Sequence, residues 1–370
     1  MCRFAAYLGP ELLLSELVYN PTNSLVHQAT EAMQSMTRIN ADGFGVGWYS
    51  PKISPEPAVF KDTSPVWNNY NLGSIAGKIE SPCIFGHIRK ANSFDPVTRE
   101  NCHPFQRGRL LWMHNGDVPG RVRLTRRVAE LAADVLLAKI RGNTDSELAF
   151  TLFLTQLSDP LAGSKADSLA DSNANSHTDS NADPLERGPT THEMAAAMQH
   201  TIESLAAWHQ ESGTESPLET NFCVTDGESL VAARYGRGNR PYASLNWYEG
   251  KDESGRRRVL IASEPLTLGE EWHEVPESSL VVVDTDLSVE IRPSRLDEGT
   301  RSENMSPPLT SAYTLRPTTR ICSPVIIASW VGVVGDPVGG RRYPAARIHL
   351  GHRVGVLIPD VERRVPPGSR

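Results

Sequence analysis

Short apolar segments with strand character, each closed by turn-forming residues, recur along most of this chain and give way only to one polar tract. Cys2 to Leu8, GFGVGWYS, PAVFK, SPCIFGHIRKA and RLLWMHNGD precede the tract, and NFCVTDGESLVAARY, RRVLIASEPL, SLVVVD and LSVEI follow it. Segments of this length and pattern read as strands, and the second group opens with a hairpin whose turn lies near Asp226 and Gly227. Between them stand helical stretches: ELLLSELVY, NSLVHQATEAMQSM, about Val122 to Arg141, and EMAAAMQHTIESLAAWHQ. In the last, Met194, Met198, Ile202, Leu205 and Trp208 recur at helical spacing and form a stripe for burial. In TDSE, Thr144 and Glu147 have the spacing of a capping box, so a helix is expected to start at Asp145. The chain is thus two blocks of mixed strand and helix.

The dividing tract, about residues 159–190, is a crude repeat of Ala, Asp, Ser and Asn with few large apolar side chains. Such composition buries too little surface to offset the entropy of ordering, and a disordered insertion is expected. Beyond Ile291 the pattern decays, and 296–370 is expected to be a poorly ordered tail. A net charge of -7 provides no basic field for nucleic acid. The basic clusters RVRLTRR and GRRRV are short and read as solvated faces. The longest apolar runs fall short of the roughly 20 residues of a spanning helix, so no membrane partner is expected. Five widely spaced cysteines (Cys2, Cys83, Cys102, Cys223, Cys322) form no CxxC pair. Their spacing suits a reducing compartment and disfavours structural zinc; with no secretory n-region and h-region at the start, the expected localisation is cytoplasmic.

Cys2 admits three readings: an ordinary first-strand residue, a degradation signal, or a nucleophile. A small second residue permits removal of Met1. Cys2 would then carry a free amine of pKa about 7.7 to 8.0 beside a thiol of pKa about 8.5, a base and a nucleophile in one residue. In LLWMHNGDV an apolar strand runs into Asn115 and Gly116, whose amide and backbone N–H can face one point as an oxyanion hole; taken alone, NGD is also a common turn. In FGHIRKAN, Arg89 sits on an otherwise apolar strand and can grip a carboxylate by two parallel hydrogen bonds, unless it is a surface arginine at a strand end. Asp145 is either a favourable acid in a first helical turn or the contact for an ammonium. Together Arg89 and Asp145 complement a zwitterionic amino acid. GFGVG runs into the strand segment GWYS rather than a helix, which excludes a dinucleotide loop, and SEPL lacks a GxSxG elbow.

MCRF, NADGFGVGWY, GHIRKAN, NCHPF, HNGD, TDSE and ASEPLT follow one another in an order that resembles class II glutamine amidotransferases of the N-terminal-nucleophile hydrolase superfamily. More narrowly, the chain is similar to the free-standing branch with YafJ-like proteins, the ergothioneine-pathway γ-glutamyl hydrolase and the fungal glutathione-degradation amidotransferase subunit. The likeness spans roughly Met1 to Ile291. It implies an α+β fold, a four-layer αββα sandwich, over a domain of residues 2–295, with no cofactor and no metal. It also implies Cys2 as nucleophile, Asn115 and Gly116 as oxyanion hole, Arg89 as carboxylate anchor and Asp145 as ammonium contact. Better-studied members carry threonine where this chain has Asn92, which leaves that contact open. His103 and His114 lie in matching phrases and are expected to be structural. The implied activity is hydrolysis of a γ-glutamyl amide, in a glutathione-like peptide or free glutamine, through a γ-glutamyl thioester. A peptidase-like or synthase partner subunit is implied by likeness alone. The rivals are a glutaminase subunit feeding ammonia to a separate synthase, and a non-catalytic γ-glutamyl-binding module.

Overall fold

The computed structural model describes residues 1–35, 38–92, 95–158, 184–237 and 243–297. Its strands are β1 (Arg3–Leu13), β2 (Phe44–Ser50), β3 (Ser54–Asp62), β4 (Glu80–Ile88), β5 (Phe105–Arg107), β6 (Leu110–Asp117), β7 (Leu218–Thr225), β8 (Leu230–Arg237), β9 (Asn246–Lys251), β10 (Arg257–Ala262), β11 (His273–Glu274), β12 (Ser279–Val283) and β13 (Val289–Pro293). They form two antiparallel sheets, ordered β11-β9-β10-β1-β4-β2-β3 and β13-β12-β8-β7-β6-β5. With the helices, this is an α+β fold.

Period-two alternation divides each strand's side chains between two environments. From β1, Phe4, Ala6 and Leu8 join a buried cluster with Phe85 of β4, Leu111 and Met113 of β6, and Val281 of β12, so that cluster draws on both sheets. The intervening Ala5 and Tyr7 pack instead with Leu14 and Leu17 of α1 (Leu14–Val18) and Leu25 of α2 (Leu25–Glu31). A third helix, α3 (Tyr70–Ala76), adds Leu72 and Ala76 there. From β6, Trp112 points the other way, toward α4 (Arg121–Leu131), α5 (Asp134–Leu137) and α6 (Asp145–Leu157). Its ring centroid lies 5.4 Å from Phe150, 5.2 Å from Phe153 and 4.7 Å from Phe222. Two further helices, α7 (Pro184–Arg187) and α8 (Thr191–Ser212), complete this side, and Met194, Met198, Ile202 and Leu205 are buried as their spacing predicts.

Two expectations change. The helix expected over Val122 to Arg141 breaks at Ala132 and Ala133. Continued straight at about 100° per residue, it would carry Leu136 about 120° off the stripe begun by Leu124; the break returns Leu136 to the core. The insertion is not loop throughout to Thr190, because Pro184–Arg187 is helical, Leu185 packs against the core, and Arg187 pairs with Glu193. The rest of that tract, 159–183, lies outside the described residues, as does the tail from 298 onward. GFGVG is tightly packed strand: a Cβ at Gly45 would stand 2.0 Å from the His103 carbonyl oxygen.

Three buried histidines join the sheets below the head of β1. His87 of β4 donates from Nε2 to the His114 carbonyl oxygen of β6 at 3.1 Å, and His103 stacks on His87 at 4.1 Å between centroids. His114 Nδ1 lies 2.8 Å from Ser146 Oγ of α6. Burial holds all three neutral, lowering His87 to about 3, His114 to about 4 and His103 well below its ordinary value. Among the described residues no helix is long and apolar enough to cross a membrane.

Two outcomes follow from this packing. Trp112→Ala should lose about 3–5 kcal/mol of unfolding free energy in a denaturant titration; a loss under about 1 kcal/mol contradicts the packing role. Below about pH 6.5 the unfolded chain takes up protons on the three histidines and the folded chain does not. Stability should therefore hold above that pH and fall as pH drops toward 5, by up to about 1.4 kcal/mol per pH unit for each histidine. Titrations showing equal stability at pH 7 and 5 would refute their neutral burial.

Candidate active site

Cys2 stands immediately before β1, which is hydrogen-bonded along both edges, with Ala5 opposite Ala262 of β10 and Gly86 of β4. The register Arg3↔Ile88 then brings Cys2 beside the end of β4. The Lys90 N–H donates to Cys2 Sγ at 3.2 Å, and the thiol can return a bond to the Lys90 carbonyl at 3.4 Å. Burial pushes the thiol pKa up; the Lys90 N–H, the terminal ammonium, Arg89 and Arg3 oppose that shift. The terminal amine is that of Met1, which lies 3.4 Å from Ser35 Oγ and is shifted down, chiefly by burial.

A cavity of about 400 Å³ opens here, lined by Cys2, Arg89, Gly116 and Asp145 among others. Arg89 is buried, and its guanidinium donates to the Pro96 carbonyl at 3.2 Å and the Asp42 carbonyl at 3.5 Å. Among the described residues no carboxylate pairs with it, so a cation held by neutral acceptors faces the cavity. Thr144, which lines the same cavity, caps α6 by accepting the Glu147 N–H. The reciprocal arm of the capping box is not made: the Glu147 carboxylate accepts instead from Arg141 N at 3.1 Å and Gly142 N at 2.6 Å. That clasp fixes the loop entering α6 and so the place of Asp145. Asp145 accepts from Val118 N and Ser146 N, both at 2.8 Å.

Gly116 sits at φ +151°, and a Cβ there would fall 1.9 Å from the Glu219 carbonyl oxygen. No other residue type fits. Asn115 does not line the cavity; it is fully buried behind Gly116, with Nδ2 3.3 Å from Ser263 Oγ and Oδ1 without a partner among the described residues. His103 and His114 line the floor.

The site holds acids that sequence reasoning did not single out. Asp95 and Asp117 join Asp145 on one wall, and Glu219 lines the cavity near the terminus. Burial raises the carboxyl pKa of Asp145, with Asp95 adding to it; burial raises Asp117 also, with Asp145 adding to it. Asn92 Nδ2 donates to Asp117 Oδ1 at 3.3 Å, and Arg121, expected on a solvated face, pairs with Asp95. Crowded carboxylates of this kind favour a cation between them. Asp117 follows directly on HNG, but Glu219 becomes visible only through its register opposite Asp117.

Residues 13–182 match the family model of class-II glutamine amidotransferases. Over 312 residues the chain is 32% identical to the probable glutamine amidotransferase DUG3 of Saccharomyces cerevisiae, covering 76% of this chain and 82% of that one. It is 31% identical over 165 residues to the gamma-glutamyl-hercynylcysteine sulfoxide hydrolase of Mycobacterium tuberculosis, 44% of this chain and 70% of that one. A solved glutamine aminotransferase class-II domain protein from Silicibacter pomeroyi superposes with a TM-score of 0.53 at 23% identity, covering 79% of this chain and 98% of that chain, a likeness of fold. With similarity running through most of its own length and most of its yeast relative's, the chain belongs to the class II glutamine amidotransferases.

Proposed function

We propose that the protein is an N-terminal cysteine hydrolase that cleaves the γ-glutamyl amide bond of a small peptide or conjugate. The observation that carries this reading is the single cavity shared by a terminal thiol, an unpaired buried guanidinium and a crowded carboxylate wall. Met1 lines the same cavity, so its removal both frees the Cys2 amine and vacates space. The substrate's α-carboxylate binds Arg89 and its α-ammonium binds Asp145, with Asp117 nearby. The Cys2 amine takes the thiol proton, sulfur bonds to the side-chain carbonyl carbon, and the C=O pair moves onto oxygen, where the Gly116 N–H stabilises it together with Asn115 Nδ2 once that amide turns from Ser263 toward the cavity. Collapse breaks the C–N bond, and the departing amine takes the proton. Water then cleaves the γ-glutamyl thioester to glutamate and restores the thiol.

A γ-glutamyl compound larger than glutamine is favoured because the cavity adjoins a second hollow of about 460 Å³ that shares Asn92, Asp95, Asp117 and Asp145. Ammonia, about the size of a water at about 30 Å³, needs far less room. The name of the mycobacterial relative, a gamma-glutamyl-hercynylcysteine sulfoxide hydrolase, supports the same class. The yeast relative's name keeps glutamine as an alternative donor and a separate acceptor or partner subunit open. We also assign the catalytic domain to residues 2–295 and its layering to αββα, on the three apolar clusters and the similar solved fold.

Glutamate release from glutamine and from glutathione, measured in parallel, tests the reaction. Cys2→Ala should abolish release from both while mass spectrometry finds Cys2 as the first residue of the active chain; undiminished turnover by the variant would eliminate the mechanism. Arg89→Lys should raise KM at least about 10-fold, since a point charge cannot reproduce the planar fork. An unchanged KM would remove Arg89 from carboxylate binding.

A further inference from the structure

The SEPL segment after β10 contains a serine that is no nucleophile and a glutamate buried without access to substrate, yet both reach into the catalytic apparatus. Ser263 Oγ lies 3.1 Å from the Phe4 N–H of β1 and 3.3 Å from Asn115 Nδ2 of β6, one hydroxyl touching the nucleophile's strand and the oxyanion amide in the other sheet. The serine backbone is itself held: its N–H donates to the Phe4 carbonyl at 2.9 Å, and its carbonyl accepts from Ser244 Oγ at 2.7 Å. Next to it, Glu264 pairs with Arg3 Nε at 3.0 Å, both side chains fully buried. Arg3 extends Nη1 to the Cys2 carbonyl at 3.1 Å and Nη2 to the Gln34 carbonyl at 3.0 Å. Glu264 accepts from Gln34 N at 2.9 Å and Met33 N at 3.0 Å.

A carboxamide turns about a broad, two-fold torsion, so burial alone does not choose which way Asn115 presents its N–H groups. Oxyanion donors act only when they are already aimed at the place where charge develops. A buried ion pair gains little net stability, because desolvation offsets the attraction. Its hydrogen bonds to the Cys2 backbone and to residues 33–34 point to placement instead.

We propose that Ser263 and Glu264 are positioning residues: the Ser263 hydroxyl sets the Asn115 carboxamide relative to the nucleophile's strand, and Glu264, through Arg3, sets the Cys2 backbone. The inference rests on Asn115 being an oxyanion donor. Ser263 can satisfy the unpartnered Oδ1 by donating its hydroxyl hydrogen, in the amide orientation that turns both Nδ2 hydrogens away from the serine. On the proposed function the substrate's charged groups are held by Arg89 and Asp145, neither of which bonds to Ser263 or Glu264 among the described residues. Loosening these positioning contacts therefore acts on the transition state alone.

Steady-state hydrolysis of glutathione and glutamine by the full chain, with thermal unfolding as a check on folding, tests the proposal. Ser263→Ala should lower kcat roughly 10-fold at a KM within about twofold of wild type, and Asn115→Ala should lower kcat roughly 100 to 1,000-fold. The double variant should be no slower than Asn115→Ala, because the serine acts through the amide. Glu264→Gln should likewise lower kcat at constant KM. If Ser263→Ala does not fold, Ser263→Cys, which preserves volume and weakens the hydrogen bond, is read in the same way. Wild-type kcat in a folded Ser263 variant, or losses that multiply in the double variant, overturns Ser263's role, and wild-type kcat in Glu264→Gln overturns that of Glu264. Wild-type kcat in Asn115→Ala overturns the oxyanion assignment itself, and the proposal with it.

Discussion

The constraint from which the site descends is the double edge pairing of β1. A chain terminus ordinarily frays, because nothing fixes its backbone on either side. Here the first strand is inserted between β4 and β10, with alternate side chains locked into apolar clusters above and below. Moving Cys2 would require breaking the middle of a seven-stranded sheet. Antiparallel register then determines its neighbours, since the residue paired with the start of β1 is the last of β4, and Arg89 follows at once.

Charge is distributed around that fixed point with a clear division. The floor is neutral, because burial keeps His87, His103 and His114 unprotonated. The cavity also offers a guanidinium that, among the described residues, meets carbonyl oxygens, and carboxylates whose pKa is raised chiefly by burial and further by one another. On the proposed function, the carboxylate and ammonium of an amino-acid head group would complement these two sets of groups, which the backbone geometry fixes.

Much of this was legible in the sequence because local chemistry agreed with global structure. TDSE marked the start of α6, the Met194 to Leu205 stripe marked a buried helix face, and HIRKAN marked a cation that lies immediately past the end of an apolar strand. What was illegible depended on partners distant in the chain. The strand NWYEGK shows no apolar alternation, since Asn246 faces inward and is satisfied by the Ser263 carbonyl. The break in the helix after Leu131 has no Gly or Pro to announce it and follows from where Leu136 must point. Glu219 and Ser263 acquire meaning only once β7 and β10 are set beside β6 and β1, and Glu147 forgoes half of its expected cap because the loop at Gly142 competes for its carboxylate.

Met1 among the cavity's lining residues makes maturation a geometric matter as well as a chemical one. Residues joined ahead of Cys2, whether an untrimmed leader or an affinity handle fused for purification, would have to thread through the very space a substrate needs. On the proposed mechanism such a segment would act as a tethered competitor of high effective concentration, which free ligand displaces poorly.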